Sequence, residues 1–262
     1  MKYYLAIDIG ASSGRHILAH LEGGKMVTEE IYRFRNGPET AKAFDGKEHL
    51  MRNPEGLFAE ILNGLKRAKE IGKIPCSVGV DTWGVDYALL DENDRAIGGV
   101  YSYRDARTEK TVPEVHAAVP FAELYAKTGI QFNTFNTVYQ LLDDERTGRM
   151  ERAKAMLMLP DYFHFRLTGV KKQEYTNATT TGMVNALTHT WDGEIIERLG
   201  YKKEMFGELS QPGTEVGEFT DEVAAIVGYK AKVVLPATHD TASAVLAAPL
   251  SGQTPYISSG TW

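Results

Sequence analysis

The chain opens on a short apolar run that is interrupted by one acid. Residues 3–9 alternate well enough to read as a strand, and Asp8 sits near its end. Gly10-Ala11-Ser12-Ser13-Gly14 then make a small-residue turn, and Arg15 starts a second apolar run. The pattern predicts three antiparallel strands over 3–9, 15–21 and 25–34, the last two joined at Gly23-Gly24. After a loop at Asn36-Gly37-Pro38, Asn53-Pro54 marks a helix start. Leu57, Ile61, Leu65 and Ala68 give that helix one apolar face, and Gly72 ends it. Residues 77–81 read as a buried strand that again ends in a carboxylate, Asp81. A hairpin is expected between 87–90 and 96–101, around Asp91-Glu92-Asn93-Asp94.

From 108 to about 167 the apolar spacing turns helical, through Val112, Val115, Val119 and Leu124 and then Val138, Leu141 and Leu142. These stripes read as core. A hydroxyl-rich loop is expected over 175–181. Short helices follow near 193–199 and 221–227, each with a glycine after its end, then a strand over 232–235 and a helix over 241–247. This mixture of strands and helices predicts an α/β fold.

The totals narrow the partners. A length of 262 residues suits one large domain or two ordinary ones. A net charge of −6 gives no overall attraction to nucleic acid or anionic membranes, so an anionic substrate needs a local pocket. The single cysteine, Cys76, excludes an internal disulfide and a multi-cysteine metal site, and its apolar neighbours place it in the core. Asp8 interrupts the first apolar stretch, so no signal peptide is apparent. No apolar run reaches spanning length, and a reducing cytoplasm is the expected compartment.

Phosphoryl transfer from a nucleotide requires a polyphosphate cradle, a carboxylate for the metal and a carboxylate to orient the attacking hydroxyl. The chain offers each. Glycines let backbone N–H groups approach an anion, so the turn from Gly10 to Arg15 suits a polyphosphate. It reads equally as an ordinary polar hairpin turn. Its glycine spacing fits neither the Walker loop nor the dinucleotide fingerprint. Asp8 is placed to serve Mg²⁺ through water. Asp240, in Thr238-His239-Asp240-Thr241, falls between a strand end and a helix start, where it is either the orienting base or a plain N-terminal helix charge. His239 is a sugar ligand or a satisfied histidine.

Asp81-Thr82-Trp83-Gly84-Val85-Asp86 places a ring beside glycine and two acids, which suits a polyol, or else Trp83 is simply core. In Tyr103-Arg104-Asp105-Ala106-Arg107, Arg107 is expected at a solvated helix start, while Arg104 and Asp105 stay open. At the tail, 256–262 reads as another strand entering a Ser/Gly/Thr turn, an echo of 7–14. That echo predicts the front part of a two-lobed protein, with 1–237 as the first lobe and 238–262 as the start of a truncated second one.

Taken together, Asp8 to Arg15, His239 to Val245 and Ser258 to Trp262 resemble the FGGY carbohydrate kinases of the actin/hexokinase-like ATPase superfamily. The Gly-Ala-Ser-Ser-Gly-Arg, Asp-Thr-Trp-Gly-Val-Asp and His-Asp-Thr-Ala-Ser-Ala-Val segments carry the likeness, which spans nearly the whole chain. It implies a ribonuclease-H-like lobe with a mixed five-stranded sheet flanked by helices, plus the first strand of a second lobe. It further implies ATP-dependent phosphorylation of L-rhamnulose on its 1-hydroxyl, in rhamnose breakdown. Other ketoses or polyols (L-xylulose, L-fuculose, glycerol) and a non-catalytic sugar-binding protein are the alternatives. By motif match, Ala11, Ser12, Ser13, Gly14, Arg15 and Thr261 would contact ATP, and Gly84 and His239 the sugar. Asp240 would accept the proton and Asp8 would serve Mg²⁺. Family members run on for roughly another domain, so catalysis by this length alone is not expected.

Overall fold

In the computed structural model, which describes residues 1–259, the expected opening is present: β1 (Tyr3–Ile9), β2 (Ser13–Glu22) and β3 (Lys25–Arg35) form an antiparallel meander. Two short strands, β4 (Glu39–Lys42) and β5 (Glu48–Arg52), lead into α1 (Pro54–Glu70). Asn53 caps α1, its Oδ1 accepting the Gly56 N–H at 2.8 Å, and proline takes the first helical position. β6 (Pro75–Thr82) then returns beside β1, parallel to it.

The chain continues through β7 (Tyr87–Leu90), β8 (Val100–Tyr101), α2 (Thr111–Ala118), α3 (Phe121–Thr128), α4 (Thr137–Arg146), β9 (Ala155–Met158) and α5 (Leu159–Thr168). After β10 (Gln173–Glu174) come α6 (Tyr175–Thr179), α7 (Gly193–Arg198), β11 (Leu209–Ser210) and β12 (Glu215–Glu218). α8 (Asp221–Val227), β13 (Lys232–Val234) and α9 (Asp240–Ala247) complete the described elements.

The main sheet is mixed, in the order β12-β13-β6-β1-β2-β3. It has six strands where five were expected. The addition is the edge strand β12, whose Glu215-Val216-Gly217-Glu218 offers a single apolar residue to a sequence pattern and is held by antiparallel pairing with β13. One face of the sheet carries the core. Leu5, Ile7 and Ile9 stand beside Leu18 and His16 on β2 and Val78, Val80 and Thr82 on β6, all buried under α1, α5 and α8.

Two histidines are sealed into that core. His16 Nε2 bonds the Ile61 carbonyl at 3.1 Å, with Gly64 of α1 leaving room for the ring. His164 Nε2 accepts the Val80 N–H at 2.9 Å. Burial pushes both imidazoles down, to about 4 and about 3. A ring with a depressed pKa contributes stability that is full above the ordinary 6.5 and lost as pH falls toward its folded value. Nitrogen NMR is therefore expected to find both rings neutral at pH 5. A midpoint near 6.5 for either would place that ring in water.

The 87–90 segment does not form the expected hairpin. All four residues of β7 are buried, so it needs a partner that is apolar on both faces, and β9 supplies it in antiparallel register. Only a single bridge, Leu90 with Ala96, remains of the anticipated pairing, and β8 joins β5 instead. The β7–β9 ribbon becomes a wall between two cores. Ala88, Leu90 and Leu157 face the sheet core, while Tyr87, Leu89, Met156 and Met158 face a second core built on α2, α3, α4 and α7. The helical stripes over 108–167 are core, as expected.

Two expectations fail here. Cys76 is exposed, because it precedes the run of β6 that the sheet covers on both edges. Arg107 is buried rather than solvated: its guanidinium bonds Asp144 Oδ1 at 2.9 Å, Asp143 Oδ2 at 3.1 Å and the Gln140 side chain at 2.9 Å. The charge partners lie some forty residues on and cannot be read from the local sequence. Asp105 is structural too, accepting the Leu50 N–H at 2.7 Å, while Arg104 is exposed. Among the described residues, no helix is long and apolar enough to cross a membrane.

Candidate active site

Three carboxylates meet at one edge of the main sheet. Asp8 of β1 and Asp81 of β6 are direct partners across the parallel ladder. One position further along, Thr82 donates its N–H to Thr238 O at 3.0 Å and bridges His239, which brings Asp240 to the same edge. Asp240 is the first residue of α9, so its carboxylate lies at the positive end of the helix.

The acids sense one another. Burial raises Asp8, with Arg15 opposing and Asp240 adding. Asp81 is raised well above its ordinary value, first by burial and then by the charges of Asp8 and Asp240. Arg15 is the local counter-charge, its Nε 3.1 Å from Asp8 Oδ2. Among the described residues no group of three such side chains is close enough to cage a metal directly. The paired strand-end carboxylates Asp8 and Asp81 would suit Mg²⁺, which keeps several waters and binds through one or two carboxylates plus substrate phosphates.

The turn between β1 and β2 is pinned at its base and open at its tip. Gly10 N–H donates to Ser13 O at 2.9 Å, and Asn36 Nδ2 donates to Gly10 O at 2.7 Å. The Ala11 and Ser12 N–H groups have no hydrogen-bond partner among the described residues. Unpaired successive N–H groups beside an arginine make an anion cradle.

Next to this edge lies a cavity of about 270 Å³, walled by Trp83, Gly84, Val85, Tyr103, Ile130, Phe135, Thr180 and His239, with Asn133 as a polar group. Its floor is strained. Val85 holds φ +66, a left-handed value that a β-branched residue rarely adopts, and Asp86 N–H closes back on Gly84 O at 2.9 Å. The strain persists because both ends of Val85 are tied: its N–H donates to Thr180 Oγ1 at 3.0 Å, and its carbonyl accepts from Thr137 Oγ1 at 2.8 Å. Gly84 is required there, since a Cβ would sit 2.7 Å from Thr180 Cγ2.

Trp83 is both core and wall. Its Nε1–H donates to Asp86 Oδ2 at 2.7 Å, and it stacks 4.1 Å from the Arg52 guanidinium. His239 is kept neutral at pH 7, because burial lowers it more than Asp240 and Glu174 raise it. The expected loop over 175–181 is partly the helix α6. The wholly buried Glu174 caps that helix and takes the Thr238 N–H at 3.0 Å and its hydroxyl at 2.8 Å, holding the approach to His239 in place.

Of the residues singled out in the sequence, Gly84 and His239 line the cavity, and Asp8, Arg15 and Asp240 gather beside it. Ser13 and Gly14 already belong to β2. Residues 256–259 form no strand and are exposed, because no ladder partner lies alongside them among the described residues. Thr261 lies outside the described residues. Sequence reading missed Arg52, Glu174 and Asn133. Asn133 left no signal either, since Gln131, Thr134 and Asn136 around it are polar too.

The mixed sheet, with its strand-end acids, open hairpin turn and adjoining cavity, has the actin/hexokinase-like fold of a sugar-kinase lobe, as the comparisons with known proteins show. The chain belongs to the FGGY family of carbohydrate kinases, whose N-terminal domain matches residues 3–247. It is 47% identical over its whole length to a rhamnulokinase of Halalkalibacterium halodurans, covering 55% of that protein. It is 42% identical over 99% of its length to a rhamnulokinase of Bacillus subtilis, covering 53% of it. The chain thus spans about half the length of the curated relatives it matches. In fold it is similar to a ligand-bound xylulose kinase from Lactobacillus acidophilus (TM-score 0.78, 21% identity, 90% of this chain and 48% of that one). It is likewise similar to glycerol kinase from Plasmodium falciparum (TM-score 0.69, 15% identity, 90% and 48%).

Proposed function

We propose that this chain forms the sugar- and phosphate-binding half of an ATP-dependent kinase that phosphorylates L-rhamnulose on its 1-hydroxyl. The observation that carries the reading is the placement of Asp240. It follows His239 on the cavity wall and shares its edge with Asp8 and the open N–H turn. The likeness to rhamnulokinases, at 42–47% identity, supports the choice of ketose.

In this reading the sugar rests against Trp83 and Tyr103, with the Gly84 backbone, Asn133 and neutral His239 meeting its hydroxyls. Asp240 orients the 1-hydroxyl and takes its proton as the new O–P bond forms and ADP leaves. A weak base suffices, because a loose transition state asks mainly for positioning. The Ala11 and Ser12 N–H groups, with Ser13, Gly14 and Arg15, hold the phosphates. Asp8 would hold Mg²⁺ through water, and that ion would neutralise charge between the phosphates. Thr261 is proposed as a further ATP contact on the strength of its motif alone. A cytoplasmic setting follows from such substrates. Residues 1–237 are proposed as the first lobe and 238–262 as the entry to a second.

A coupled ADP-release assay on the full-length protein tests this. Turnover with L-rhamnulose well above that with L-xylulose, L-fuculose or glycerol is expected. Preference for one of the latter would reassign the substrate, and no release with any would end the kinase reading. A second test concerns the tight packing at Gly84. Gly84→Ala pushes the loop off Thr180, and kcat/KM for the sugar is expected to drop by about 10- to 100-fold, as for small misplacements of a reacting group. Unchanged kcat/KM would remove the Gly84 loop from the site.

A further inference from the structure

The cavity beside Asp240 has unlike ends. One end, at the sheet edge, holds His239 and Gly84. The opposite wall belongs to the loop after α3, where Ile130 and Phe135 face the space together with Val85. Phe135 packs edge-on against Tyr103, with ring centres 5.4 Å apart. Ile130 also lines a smaller hollow behind the wall, among Phe121, Leu124 and Val138. That end of the cavity therefore backs onto the second core.

Most polar groups around that wall are already committed. The Asn136 side chain accepts the Asn133 N–H at 2.9 Å and donates to Thr180 O at 3.1 Å. The Thr180 hydroxyl donates to Asn177 O at 2.7 Å, and the Thr179 hydroxyl donates to Thr176 O at 2.7 Å. The Asn133 side-chain amide and His239 are left to meet sugar hydroxyls. A hydroxyl pressed against Ile130 would lose its water and gain no partner there. Rings such as Trp83 and Tyr103 take the flat face of a sugar. A branched aliphatic side chain has no such face, but it packs closely on a methyl group.

We propose that Ile130, flanked by Phe135 and Val85, is a specificity-determining residue that receives the methyl end of a six-carbon ketose and so selects a terminal-deoxy sugar over its hydroxylated counterpart. The inference rests on the kinase reading above and adds how the far end of that substrate is recognised. Phosphoryl transfer takes place at O1, which Asp240 orients at the sheet edge. The other end of the carbon chain then reaches the wall that carries Ile130. In L-rhamnulose that end is a methyl group. In L-fructose, otherwise the same ketose, it is a hydroxymethyl group, whose oxygen would be stranded against the apolar wall.

The test is the ratio of kcat/KM for L-rhamnulose to kcat/KM for L-fructose, measured with ATP and Mg²⁺ on the full-length protein. In wild type the ratio is expected to be about 10 to 100, the usual reach of an apolar pocket against an added hydroxyl. Ile130→Thr puts a hydroxyl on the wall and is expected to bring the ratio below about 3, by raising L-fructose as well as lowering L-rhamnulose. Ile130→Val has the shape of that variant without its hydroxyl and is expected to keep most of the preference. The ring forms of each sugar in solution are common to all variants and cancel in this comparison. A change that only loosened the loop would lower both sugars alike and leave the ratio unmoved. A wild-type ratio below about 2, or an unchanged ratio in a folded Ile130→Thr protein, overturns the inference and leaves the kinase reading intact. Should Ile130→Thr fail to fold, Ile130→Ser is read in its place. If L-rhamnulose gives no ADP release, the substrate reading has failed, and the same ratio for the ketose that is turned over and its terminal-deoxy form judges Ile130. If no ketose is turned over, both readings fall.

Discussion

Asp240→Asn in the full-length protein is expected to lower kcat by about 10²- to 10⁴-fold, the span usual for loss of a general base, while the sugar KM stays within a few-fold. The substitution is nearly isosteric. Asparagine keeps an oxygen at the start of α9 to accept the Thr241 N–H, which Asp240 Oδ1 now holds at 2.6 Å. It also removes one of three like charges, since Asp8 and Asp81 are both raised in part by Asp240. Folding stability is therefore expected to hold or rise slightly as activity collapses, the pattern of a charge kept for chemistry. Steady-state kinetics with a thermal melt on the same sample checks both halves. Comparable turnover would strike Asp240 from the mechanism. A loss of activity matched by a large fall in melting temperature would make it a structural cap.

What the sequence disclosed divides along physical lines. The sheet core and α1 were legible because their signals are local: alternation in β1 and β6, an Asn-Pro cap and a 3.6-residue apolar face. The strand-end acids were legible for the same reason, each standing at the boundary between an apolar run and a turn. Pairings that depend on distant chain were not. β7 carries no mark of its partner 65 or more residues on, and polar β12 becomes a strand only because β13 is there to receive it. The site divided likewise. Gly84 and His239 sit in motifs, whereas Arg52 and Glu174 act across 31 and 64 residues, through Trp83 and Thr238. A charged residue looks solvated in one dimension unless its partner is nearby, which is how Arg107 was misplaced.

That misplaced residue leads to the largest stability effect expected of a single change. Asp144 is completely buried between two guanidiniums: Arg149 Nη1 lies 3.0 Å from its Oδ1, Arg107 Nη1 lies 2.9 Å from the same oxygen, and the Tyr87 hydroxyl donates to Oδ2 at 2.5 Å. Removing the acid leaves two buried cations with Asp143, on Arg107, as the remaining counter-ion and Arg149 without one. Asp144→Ala is expected to cost about 3–5 kcal/mol, the range for breaking a buried ion pair from one side. Asp144→Asn, which retains hydrogen-bonding capacity but not charge, should cost less. The pH dependence separates charge from shape. Burial works against the ionised form, but Arg149 and Arg107 outweigh it, so the carboxyl titrates below its ordinary 3.8. A depressed carboxylate gives stability that is full above the unfolded value and lost as pH falls through the folded one. The gap in urea midpoint between wild type and Asp144→Asn is thus expected to stay constant from pH 7 to 5 and to narrow below 3.8. Taking the difference between two proteins cancels the titration of the buried histidines and the raised acids. A gap that is absent at neutral pH would mean the two arginines are satisfied by their other partners, the Ile97 and Gly99 carbonyls for Arg149 and Asp143 with Gln140 for Arg107.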